Sequence, residues 1–217
     1  MTKEEVCRQI KTIGIMPAVR VSTSDDAFFV AETVIGNGIA VVEVTMTCPD
    51  ALEIVSGLRK RHPEAVVGAG TVFDAVMAQR CIDAGAMFIT SPGCDERMVQ
   101  TARDANVAAI PGALTPTEVM AALRNGADMV KIYPCSQVGG PSYIKALHAP
   151  FPHVAFIASG GVTQQTAMQF IQAGAAALGV GQDLVPHAAV TQHKADWIRE
   201  LVHRFLGMVQ RARSHSS

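Results

Sequence analysis

The sequence predicts an α/β fold, a (β/α)8 barrel of the TIM type with one extra helix at its N-terminus. Three observations carry this expectation. Short apolar runs alternate eight times with amphipathic stretches of helical length, which implies a parallel sheet closed by right-handed crossovers. Polar or glycine-rich turns follow most of the strand segments, as they do where a barrel gathers a site on one face. An open doubly wound sheet, the competing architecture, would concentrate them at one switch point. The 217 residues, 49% hydrophobic and 17% charged, suit one domain with a large buried core.

Thr2 with Glu5 three residues on reads as a capping box opening the first helix. Met16–Arg20 is a short strand. Ser24, Asp25 and Asp26 then cap and charge a helix that runs to about Ile35, where Gly36 and Gly38 stop it. Ala40–Thr45 is a β-branched strand, Pro49–Arg61 a helix and Ala65–Gly68 a strand. The alternation continues through helix Asp74–Asp83, strand Met87–Thr90, helix Asp95–Asp104 and strand Val107–Ile110. Helix Thr115–Leu123, strand Met129–Tyr133, helix Pro141–Leu147 and strand Val154–Ala158 follow. Helix Thr163–Gln172 and strand Ala176–Val180 complete the eight units, and a last helical region spans His187 to Ala212. No linker interrupts the series, so residues 1–217 are expected to form a single domain.

Several function classes recede on composition. A net charge of −1 provides no basic face for a nucleic-acid partner. The charged N-terminus lacks an apolar signal core and no apolar run is long enough to cross a bilayer, so a cytoplasmic location with no membrane partner is expected. Cys7, Cys48, Cys81, Cys94 and Cys135 are scattered without a C-x-x-C pair, which suits small core residues in a reducing compartment. The seven histidines (62, 148, 153, 187, 193, 203 and 215) fall in helices, loops or the tail, so no metal site is expected at the strand ends. No nucleotide-binding glycine motif is present.

Two ionisable residues interrupt the strands. In Met129–Tyr133, alternation puts Lys131 on the side opposite Val130 and Ile132, and if those valine and isoleucine side chains face the helices Lys131 points into the barrel. Lysine is rarely buried unless paired or functional, and burial favours the neutral amine that attacks carbonyls. Glu43 sits among valines in the second strand, opposite in sense to Val42 and Val44. A carboxylate in such a place can move protons, and a base beside a lysine is what Schiff-base chemistry needs. The competing reading is a structural Lys–Glu pair. Gly68-Ala69-Gly70-Thr71 ends the third strand and lets backbone approach a ligand, with Thr71 offering a hydroxyl and an N–H. Pro92, after the fourth strand, and Tyr133, the last residue of the sixth, are pocket candidates. Ser159-Gly160-Gly161 and Gly181-Gln182 follow the seventh and eighth strands, where barrels often hold a phosphate or other anion.

With these residues in place, the chain resembles the 2-keto-3-deoxy-6-phosphogluconate and 4-hydroxy-2-oxoglutarate aldolases. The likeness runs from about Ile15 to Pro186, through MPAVR, VVEVTMTCP, VGAGTV, ITSPG, IPG, VKIYP, GGPSYIKAL and SGGV in that order. The resemblance implies that Lys131 is the Schiff-base lysine, Glu43 the general acid/base, and Thr71 a contact to the substrate carboxylate. It implies that Ser159, Gly160 and Gly161 hold the distal hydroxyl and phosphate end. It further implies a small keto-acid substrate, a homotrimer, and no metal or organic cofactor.

Two positions depart from the family pattern. Many 6-phosphogluconate-type members carry an arginine four residues after the glutamate, where this chain has Thr47. Arg20 resembles an arginine of the 6-phosphogalactonate branch and is expected to grip the carboxylate, with Thr47 beside it. Gln182 stands where phosphate-binding members commonly have serine, and Gln is bulkier. The expected activity is cleavage of a 2-keto-3-deoxy-6-phospho sugar acid to pyruvate and glyceraldehyde 3-phosphate. The alternatives are aldol cleavage of 4-hydroxy-2-oxoglutarate, decarboxylation of oxaloacetate, or a non-catalytic barrel that binds a sugar acid or supports a complex, with Lys131–Glu43 as a buried ion pair.

Overall fold

A computed structural model describes residues 1–214; His215, expected in the tail, lies outside the described residues. Helix α1 (Lys3–Ile13) precedes the barrel, and its Thr2–Glu5 capping box is formed in both directions. The units that follow are β1 (Ile15–Val19) with α2 (Ser24–Gly36), β2 (Val41–Thr45) with α3 (Ala51–Arg61), and β3 (Val66–Gly70) with α4 (Ala75–Asp83). Next come β4 (Phe88–Thr90) with α5 (Glu96–Asp104), then β5 (Ala108–Ile110) and β6 (Gly112–Ala113) with α6 (Pro116–Asn125). The chain finishes with β7 (Val130–Ile132) and α7 (Pro141–His148), β8 (Phe156–Ser159) and α8 (Ala167–Gln172), β9 (Ala177–Val180), α9 (His187–Thr191) and α10 (Ala195–Ser214).

All the pairings are parallel, in the order β5-β4-β3-β2-β1-β9-β8-β7-β6. The two outermost strands of that list are halves of one stave, interrupted at Pro111, which has no N–H to give a ladder. β5 pairs with β4 and β6 pairs with β7. The Asp128 and Lys131 N–H groups donate to the Ala109 and Pro111 carbonyls at 2.9 Å each, which closes the ring across the break. The eight-stave barrel read from the sequence is therefore present, its fifth stave in two pieces.

Two apolar layers hold it. Val30, Val42, Val44, Val130, Ile132 and their neighbours pack outward against the helices. Inside, Met16, Val41, Val66, Phe88, Ala108, Met129, Ile157 and Ala177 pack together, and Val6 and Ile10 of α1 close that layer from the N-terminal end. Lys3 anchors the helix through a 2.9 Å ion pair to Asp128, whose other oxygen accepts from the Ala109 N–H. The thiols behave as core residues: burial pushes Cys81 up to about 12, and Cys7 and Cys135 up to about 11.

Two helices differ from expectation. Residues 164–166 form a turn, and α8 starts only at Ala167. Thr166 Oγ1 accepts from the Thr163 N–H at 3.0 Å, a local bond that competes with helical pairing. The region from His187 splits into α9 and α10 because His193 takes a left-handed backbone (φ 48°). Its ring stacks on Phe29 of α2 with centroids 4.5 Å apart and lies 3.0 Å from Asp26.

Close packing inside the barrel gives a direct test. A Cβ on Gly68 would lie 2.4 Å from the Phe88 ring, which is itself fully buried. Gly68→Ala is expected to destabilise the fold by about 1–3 kcal/mol through overpacking. Urea denaturation should show a lower midpoint with an unchanged slope.

Candidate functional site

Strand alternation delivers Lys131 and Glu43 to the same interior. Val130 and Ile132 belong to the outer layer, as do Val42 and Val44, so the two ionisable residues between them point inward. Lys131 is 7% exposed and Glu43 2%. Their side chains, 88 positions apart in sequence, meet with Lys131 Nζ donating to Glu43 Oε2 at 3.3 Å. Thr90 of β4 donates its hydroxyl to the same oxygen at 2.8 Å. The neighbouring β3 makes room: a Cβ on Gly70 would lie 2.2 Å from Glu43 Oε1.

Above the pair opens a cleft of 380 Å³. Ala18 and Arg20 line it from the end of β1, Tyr133 from the end of β7, and Ser159, Gly160 and Gly161 from the end of β8. Gly181 and Gln182 complete it after β9. Tyr133 and Ser159 occupy the next inward positions above Lys131 and Ile157, so the pair lies one layer below the cleft. The Lys131 ammonium is 6.0 Å from the Tyr133 ring centroid.

Arg20 falls just beyond β1 and is exposed. Alternation within MPAVR left its direction open; the cleft takes Ala18 and Arg20 on the same side. Its guanidinium has no ion-pair partner among the described residues. Thr47 is exposed and lies 2.9 Å from the Thr45 hydroxyl, outside the cleft lining. Thr71 is half-buried, with a left-handed backbone (φ 63°) that a β-branched residue rarely adopts. Pro92 lines a separate 370 Å³ cleft with Gly112 and Leu114, and Tyr133 stands between the two clefts.

The distal loops have a distinct backbone. Gly160 and Gly161 are both left-handed, φ 85° and 82°, and Cβ atoms there would lie 2.9 Å from Pro134 Cα and 2.6 Å from Ser136 Cβ. Side chains are thus excluded where Ser136 Oγ donates to the Gly161 carbonyl at 2.6 Å. Among the described residues, the N–H groups of Gly161, Val162, Gln182 and Asp183 donate to no protein acceptor. Partnerless N–H groups beside a cleft suit an anion. Sequence reading missed four residues here: Thr90, Asp183, and, in a 190 Å³ cavity that shares Arg20, Gln182 and Val185 with the main cleft, Asp26 and His187. No group of three or more His, Cys, Asp or Glu among the described residues could hold a metal ion. No described helix is long and apolar enough to cross a membrane.

Comparison with known proteins adds to this geometry. The sequence pattern of the family described as KDPG and KHG aldolase matches residues 5–201. The KHG/KDPG aldolase of Escherichia coli K12 is 30% identical over 193 residues, which is 88% of this chain and 91% of that protein. A structure of the KDPG aldolase from Legionella pneumophila, with pyruvate captured as a covalent carbinolamine intermediate, superposes with a TM-score of 0.85 at 28% identity. It covers 91% of this chain and 96% of that one. A native KDPGal structure matches with a TM-score of 0.82 at 30% identity, over 90% of this chain and 96% of that one.

The left-handed Thr71 separates stability from ligand binding. Thr71→Gly removes a backbone strain of roughly 1–2 kcal/mol and is expected to hold or raise the Tm. It also deletes the hydroxyl expected at the substrate carboxylate, so KM for the keto acid should rise. A lower Tm with unchanged KM would show that the side chain serves packing alone.

Proposed function

This chain belongs to the KDPG and KHG aldolase family, a carbon–carbon lyase on a TIM-type barrel, and on that premise we propose that Lys131 forms the Schiff base and Glu43 moves the protons. The observation that carries this reading is the buried Lys131–Glu43 contact at 3.3 Å beneath an open cleft. A proton passing from the ammonium to Glu43 leaves a neutral amine, which attacks C2 of the keto acid. Glu43 returns that proton to the carbinolamine hydroxyl, water leaves, and a protonated imine remains. Glu43 then takes the C4 hydroxyl proton as the C3–C4 bond breaks; its electrons flow into the imine, giving an aldehyde and an enamine. Glu43 delivers the proton to C3, and water releases pyruvate.

Arg20, exposed at the mouth with no carboxylate paired to it, is the group that holds the substrate carboxylate; Thr71 and Thr47, which are not among the residues lining the cleft, are the hydroxyl donors expected from the sequence. Pro92 and Tyr133 wall the reacting end. Ser159, Gly160, Gly161, Gly181 and Gln182 hold the distal end. The four partnerless N–H groups there support a phosphate, and so a 2-keto-3-deoxy-6-phospho sugar acid that yields glyceraldehyde 3-phosphate. A second reading is favoured by Asp183, which lines the same cleft next to Gln182 and whose negative charge opposes a phosphate dianion there. On that reading the substrate is an unphosphorylated keto acid such as 4-hydroxy-2-oxoglutarate. Phe73 and Val76, 61% and 72% exposed beside each other near the start of α4, support a homotrimer in which another copy covers them. The free thiols support a cytoplasmic setting.

Borohydride reduction in the presence of pyruvate is expected to add one pyruvate-derived group, on Lys131, by peptide mass mapping. Modification of Lys145 or another lysine with Lys131 clean would overturn the assignment. The distal end is read by condensation of pyruvate with glyceraldehyde and with its 3-phosphate. The phosphate reading expects a higher kcat/KM for the phosphorylated aldehyde, together with a gain for that aldehyde in Asp183→Asn. A higher kcat/KM for the neutral aldehyde selects the second reading.

A further inference from the structure

We propose that Thr90 is a positioning residue that anchors the Glu43 oxygen facing Lys131, so that the other oxygen exchanges protons with the C4 hydroxyl and C3 of the substrate; this rests on Glu43 being the acid/base group. The two oxygens of Glu43 have different surroundings. Oε2 accepts from both Thr90 Oγ1, at 2.8 Å, and Lys131 Nζ, at 3.3 Å. Oε1 accepts from no group among the described residues, and it stands where a Cβ on Gly70 would be 2.2 Å away. Among the described residues no sealed side-chain oxygen or nitrogen lacks a hydrogen-bond partner. Oε1 therefore keeps some accessible surface, although Glu43 as a whole is only 2% exposed. It is the oxygen that a substrate hydroxyl or a water can reach.

Thr90 is fully buried, and its hydroxyl makes this one side-chain bond. A valine would fill the same volume in this β-branched position without a polar atom to satisfy, so packing alone does not require a threonine. Its importance grows during turnover. In the resting site both Lys131 and Thr90 hold Oε2. Once the Lys131 nitrogen is bonded to substrate C2, its position follows the substrate, and Thr90 is the donor still fixed to the barrel. A carboxylate held through one oxygen by a strand-borne hydroxyl keeps its other oxygen aimed at C3 and C4 through the proton transfers. Losing that bond leaves imine formation possible and makes the carbon-linked proton transfers slower.

The two steps are separable with pyruvate alone. Borohydride trapping reads imine formation. Deuterium uptake into the pyruvate methyl group in heavy water, followed by proton NMR, reads the proton moving on and off C3. Thr90→Val is expected to retain trapping on Lys131 and a KM for pyruvate within about twofold of wild type, while exchange and kcat fall on the order of tenfold, the effect of losing a hydrogen bond to a charged group. Thr90→Ser, which restores the hydroxyl in less volume, should recover most of the exchange rate. If Thr90→Val does not fold, Thr90→Cys, a weak donor, takes its place with the same expectation. Wild-type exchange in the folded Val or Cys variant overturns the proposal, as does a Ser variant no faster than either. Glu43→Gln run alongside separates the two levels. Fast exchange in Glu43→Gln removes the acid/base reading itself, whereas slow exchange there with wild-type exchange in Thr90→Val removes only the role of Thr90.

Discussion

A lysine and a glutamate sharing a nearly dry barrel interior constrain everything around them. Taking both charges out of water costs several kcal/mol for each, and an exposed pair would avoid that cost. The contact at 3.3 Å compensates only because other groups help. Thr90 adds a second donor to Glu43 Oε2, and the missing side chain at Gly70 leaves room for Oε1. Removing one partner of such a pair typically destabilises by about 3–5 kcal/mol, since the other charge is stranded. The rest of the fold must therefore be stable enough to carry the site.

That stability comes from the opposite end of the barrel. Below the pair the interior is wholly apolar, and α1 seals it with Val6 and Ile10. Above the pair the inward positions shrink and turn polar, passing through Ser159 and Gly179 to the glycine loops. Even there close contact dictates residue type: a Cβ on Gly179 would meet Ser159 Oγ at 2.7 Å. Left-handed Thr71, Gly160 and Gly161 all lie at the C-terminal ends of strands, where loops can carry strain without breaking the ladder.

Period-two patterning made much of this legible. Valines on either side of Glu43, and Val130 and Ile132 about Lys131, put both side chains inward on the condition that those neighbours face the helices, which they do, while the alternation of strands and helices along the chain gave the eight staves. The glycine loop after the seventh strand was legible for a different reason, since glycine is the residue that tolerates the positive φ found at Gly160 and Gly161. The residues that escaped are those whose role is tertiary. Thr90 looks like any β-former until Glu43 lies opposite it. Arg20 was named, and only its direction escaped, because it follows a strand of mixed character containing Pro17 with no clean alternation to orient it. The break between α9 and α10 depends on His193 docking on Phe29, more than 160 positions earlier, while the amphipathic pattern runs on unbroken. Pro111 was visible, but that the stave would resume on its far side depended on pairing with β7.

The position of the pair also decides from which side it can be met. Beneath it the apolar inner layer and α1 close the barrel, with Val66, Phe88 and Met129 buried. Above it the C-terminal ends of β1, β7, β8 and β9 leave an open cleft. A small molecule that reaches Lys131 must therefore come from the C-terminal side, past Arg20 and Tyr133. It then meets Lys131 and Glu43 together, because the two side chains already touch at 3.3 Å.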